Sequence, residues 1–170
     1  MKKITLFIFL LVAVCICDAQ SEGLGSKMET LINTWDQEAK KLSTYEGLSN
    51  FCTNQAYRDE TISTLKGIHH YDSILYDIIA KKARFGDNAE MKKTLKDIAK
   101  VESELSIRSF LVFLQEECNA RKEIENNARK TGEDKDAEVY MLETELAKYV
   151  KHITKRIDTI RDHIHHLNIK

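Results

Sequence analysis

Cys52 and Cys118 stand equally far, 33 residues each, from Phe85. Phe85 lies in the break Arg84-Phe85-Gly86-Asp87-Asn88, between two long runs of helical periodicity. If those runs fold back on each other, each cysteine lies about 50 Å from the bend at 1.5 Å per residue, so the two meet at one height. The spacing predicts a disulfide between Cys52 and Cys118 that clamps the open end of a helical hairpin. A clamp fixes architecture and compartment but names no reaction.

The remaining cysteines agree with that pairing. Lys2 and Lys3 precede an apolar run from Ile4 to Ile16, and Cys17-Asp18-Ala19 places small residues where a signal peptidase reads. Residues 1–19 are therefore expected to be a signal peptide, and residues 20–170 a single secreted, extracellular domain. Cys15 and Cys17 would leave with the leader, and the remaining even pair suits an oxidising space. The leader is too short for a membrane span, and no later stretch approaches eighteen apolar residues, so no span is expected.

The fold class follows from what the chain lacks. It contains no proline and only six glycines, whereas turn-rich β folds lean on both. Abundant Lys, Glu, Leu, Ile and Ala favour helix. The expectation is an all-α protein, an antiparallel up-down bundle of three long helices plus a shorter N-terminal helix, with one disulfide.

The first helix is expected over residues 27–45, opened by a Ser26–Glu29 capping box and striped by Met28, Leu31, Trp35, Ala39, Leu42 and Tyr45. Gly47 and Ser49-Asn50 mark a turn or a kink. A second helix then runs through Leu48, Cys52, Ile62, Leu65, Ile68, Leu75 and Ile79 to a left-handed cap at Gly86, with Asp87 restarting the chain. A third carries Met91 to Cys118 and ends at Gly132. The fourth, capped by Thr131 or Asp134, has the most regular stripe, from Val139 to Leu167. In this arrangement the disulfide falls in a four-helix end, and the Phe85 turn in a three-helix end.

Charge excludes one class of partner. Basic and acidic residues number 26 and 27, both signs are interspersed, and the basic cluster Lys148, Lys151, Lys155 and Arg156 reads as a solvated helix face. No nucleic-acid partner is expected. Catalytic signatures are missing too: there is no Gly-x-Ser-x-Gly, no phosphate-binding glycine loop and no pair of Glu-x-x-His motifs. The protein is not expected to be an enzyme.

One constellation could carry chemistry. In the hairpin register His69 is level with Val101, and Val101 with His163, so His69, His70, His163, His165 and His166 share a layer. His163 and His166 are three apart on one helix and can share a face. With His69 they form a candidate metal site for zinc or copper, with Asp72 or Asp162 in support. The competing readings are a pH switch and imidazoles that merely flank the seam.

What remains is recognition. The leading expectation is a secreted, non-enzymatic bundle that binds a protein partner. The alternatives are an extracellular carrier of lipid or another small apolar ligand, using the aromatics Trp35, Tyr45, Phe51, Phe110 and Phe113, or a self-assembling structural homo-oligomer. Periodicity and one disulfide transfer no function by themselves.

Overall fold

The computed structural model describes residues 23–85, 89–132 and 134–169. The expected signal peptide, the Gly86 cap and the Asp87 restart lie outside the described residues. Six helices make up the described chain, without a strand: α1 Leu24–Leu42, α2 Tyr45–Thr53, α3 Gln55–Phe85, α4 Ala89–Glu104, α5 Ile107–Thr131 and α6 Asp136–His166. Among the described residues no helix is long and apolar enough to cross a membrane.

Two of the expected long helices are each broken in two. The first break is at Asn54, whose own N–H closes α2 on Asn50 O while its side chain accepts from Tyr57 N at the start of α3. Arg58 then reaches back, donating to the carbonyls of Phe51 and Cys52, which would otherwise be orphaned at the end of α2. The second break is at Leu105-Ser106, where the Ser106 hydroxyl accepts from Ser109 N and caps α5. Leu105 itself is buried, so the break turns an apolar side chain inward.

The helix ends also correct two expectations. α1 begins at Leu24 behind a left-handed Gly23, so Ser26 lies inside the helix, where its carbonyl accepts from Thr30 Oγ1, and the Ser26–Glu29 capping box is not formed. Burial of Leu24 in the core extends the helix back by this turn. Between α1 and α2 the break falls at Ser43-Thr44, with Thr44 capping α2 through Gly47 N. Gly47 is thus neither turn nor kink but part of the first turn of α2. At the other end Gly132, with φ 67°, caps α5 as expected, and Asp134 rather than Thr131 serves α6 by accepting from Asp136 N.

Gly47 is needed for a close approach. A Cβ there would overlap the carbonyl of Lys41, a backbone group that cannot swing aside. Inside an ordinary helix Gly→Ala gains up to about 1 kcal/mol. Here Gly47→Ala is expected to destabilise by about 2 kcal/mol through overpacking, read as a lower urea midpoint at unchanged slope.

The disulfide joins Cys52 of α2 to Cys118 of α5, with Cα atoms 5.7 Å apart. α1 packs along α3 and α6 in antiparallel sense: Leu31 lies against Gly67 and Lys27 over Tyr71, while Trp35 meets Thr154 and Asp36 meets Arg161. Trp35 is fully buried, edge-on to Phe110 at 5.8 Å, and its indole N–H donates to Thr154 Oγ1 at 3.1 Å. Phe110, Phe113 and Tyr149 stack in turn, so these rings fill the space where α1, α5 and α6 meet. Of the neighbours Leu31 and Ile32, Ile32 is the fully buried one, alongside Met28, Trp35 and Leu42, while Leu31 is partly buried and turned toward α3.

Candidate functional site

Three places in the fold hold side chains beyond what packing requires. The first is the histidine-bearing end of α6. Successive residues on a helix are about 100° apart, so His163, His165 and His166 point different ways. His163 turns inward, half buried, with Asp97 of α4 acting on it. His165 turns to Glu29 of α1, Nε2 to Oε2 3.8 Å, and His166 pairs with Glu90 of α4 at 2.7 Å.

Asp97 therefore stands where the sequence register placed Val101, one helical turn away. Burial lowers the pKa of His163 and His166 lowers it further, against the opposing pull of Asp97 and Asp162. Its Nε2 is sealed without a hydrogen-bond partner among the described residues. On α3, His69 and His70 are exposed, and the His70 ring leans on Tyr71 at 5.2 Å. Among the described residues no three His, Cys, Asp or Glu side chains are grouped to hold a metal ion. His69 is accordingly not brought into one ligand set with His163 and His166.

The second place is the seam between α1 and α3. Glu38 is a charged residue only 5% exposed, and its Oε2 has no hydrogen-bond partner among the described residues. Burial first, and the nearby Glu60 second, push its carboxyl up to about 7, with Lys41 pulling the other way. Tyr57 of α3 lies close enough for Glu38 to raise its phenol as well, after burial. The signal was present in the sequence: Glu38 is three residues after Trp35 and four before Leu42, on the apolar stripe of α1.

The third is a groove of about 340 Å³ beside the start of α1. Leu24, Tyr71, Ile74 and Ile78 form its apolar lining, with Lys27, Lys81 and Asp77 also along it. Nearer the middle of α1, Arg161 of α6 ties the two helices together through Asp36 at 2.6 Å and Glu29 at 3.4 Å, and also holds Asp158 on its own helix. This bridge is partly screened by solvent and fixes register more than it adds stability.

Large apolar side chains also reach the surface. Tyr140 and Met141, in the second turn of α6, are 72% and 69% exposed, and Val112 of α5 is also exposed. No family model, curated protein or solved structure matches this chain.

Proposed function

We propose that this is a secreted, extracellular protein that acts without catalysis, by protein–protein recognition along the outside of an antiparallel up-down bundle of three long helical arms and a shorter N-terminal helix. The observation that carries this reading is the pair Tyr140 and Met141, two large side chains left bare in succession on a helix whose other face is packed. Amphipathic rings and Met are the side chains that anchor protein interfaces when water is excluded around them.

The test uses the full chain recovered from a secreting host. Tyr140→Lys with Met141→Lys should abolish retention of a protein partner from extracellular fluid while leaving the far-UV spectrum and the Trp35 emission unchanged. Native mass spectrometry of the same preparations should give a monomer without bound small molecules. A partner retained equally by the variant would overturn the assignment to α6.

A carrier role is the second reading, favoured by the 340 Å³ groove, whose size falls in the range of small-molecule sites. A mass that drops after extraction with organic solvent would favour it, and a ladder of multimers would favour self-assembly. Zinc or copper held by His69, His163 and His166 after side-chain rearrangement is a further proposal, tested by loss of a metal-sized mass on chelation.

A further inference from the structure

α1 is held on α3 across a seam that contains an unsatisfied acid. Glu38 points into that seam, 5% exposed, with Oε2 unpartnered among the described residues. Facing it from α3 are Tyr57, whose hydroxyl is buried, and Glu60. Thr61, one residue on and fully buried, donates its hydroxyl to the Tyr57 carbonyl and so does not serve Glu38. On its own helix Glu38 feels Lys41; α2 and α6, which also pack on α1, add no charge that acts on it among the described residues.

We propose that Glu38 is a proton-operated latch, which holds α1 firmly on α3 while it is protonated and loosens that docking when it ionises. A neutral carboxyl sits in this seam without uncompensated charge. A carboxylate in the same place is desolvated, meets Glu60, and has only Lys41 in opposition. Its escape is for α1 to lift, which draws Trp35 and Ile32 from the core and uncovers Phe110 beside Trp35.

The direction follows from proton counting. The docked form keeps a proton up to about pH 7, whereas the same carboxyl in open chain loses it near 4.5. Docking is therefore unaffected below pH 4.5, weakens as pH rises from 4.5 to 7, and stays at its weakest above that. The latch does not depend on what the protein recognises.

Hydrogen exchange of α1 amides, corrected for intrinsic rates and taken at pH 5.5 and 8.0, reads the latch directly. Protection of α1 should fall about 30-fold between those values in the native protein, the ratio set by the two proton affinities. Glu38→Gln should hold its protection at both, and Glu60→Gln should move the fall to lower pH. A Glu38→Gln profile that still falls 30-fold would overturn the proposal. So would a Glu38 carboxyl carbon, followed by NMR in the unaltered protein, that titrates like an exposed glutamate.

Discussion

Replacing both Cys52 and Cys118 with alanine is expected to lower the stability of the protein by about 4 kcal/mol, the entropy of closing a loop of this length in the unfolded chain. The loop of sequence separation 66 that the bond closes contains all of α3 and α4, so the unfolded state gains freedom over more than a third of the chain. A urea titration at one pH decides it, as a shift in midpoint, and a slope that grows with the loss would report a more open denatured state. A loss below about 1 kcal/mol would mean that α2 and α5 stay together in the unfolded ensemble without the bond. The folded reduced protein should keep Trp35 buried, because its contacts are to Phe110 and Thr154 and not to the bridge itself.

Trp35→Ala is the second large effect, expected to destabilise by about 3 to 5 kcal/mol. The indole is fully buried at the meeting of three helices, and its removal leaves a void beside Phe110 and an unpaired hydroxyl on Thr154. Trp35→Phe separates those contributions. It retains most of the packing and loses the N–H donor, so a loss of about 1 to 2 kcal/mol is expected. Small single domains hold about 5 to 15 kcal/mol in all, so Trp35→Ala in the bridge-less protein should leave little folded material at 25 °C. Circular dichroism of the four variants closes the cycle; a fully helical combined variant would show that the core repacks.

The disulfide was legible because helical rise is constant: equal counts of residues from a bend give equal heights, whatever the side chains between. The two breaks were not. Asn54 and Ser106 carry neither glycine nor proline nearby, and each stops a helix only because its side chain caps the next one, a weak signal inside an apolar pattern. At Ser26 the opposite happened, a good capping box overridden by the burial of Leu24 one turn earlier. For the histidines, the sequence conveyed height along the helices but not direction around them. His163 and His166 reach α4 while His165 reaches α1, and His69 stays exposed on α3. Glu38 was readable from its place on the stripe, yet polar residues on stripe edges usually reach water, and only the packing of α3 over it closes that route.

The covalent loop also shapes how the molecule would answer to force. Gly25 lies against the Ile169 carbonyl, so tension applied at these two residues starts from one pole. It peels α1 and α6 apart one contact at a time, the geometry that yields at low load. Extension then stops at the bridge, which withholds a loop of sequence separation 66, about 230 Å of contour at roughly 3.5 Å per step. Under tension the protein would behave as two short compliant tethers on an inextensible ring, with reduction of one bond releasing the stored length in a single step.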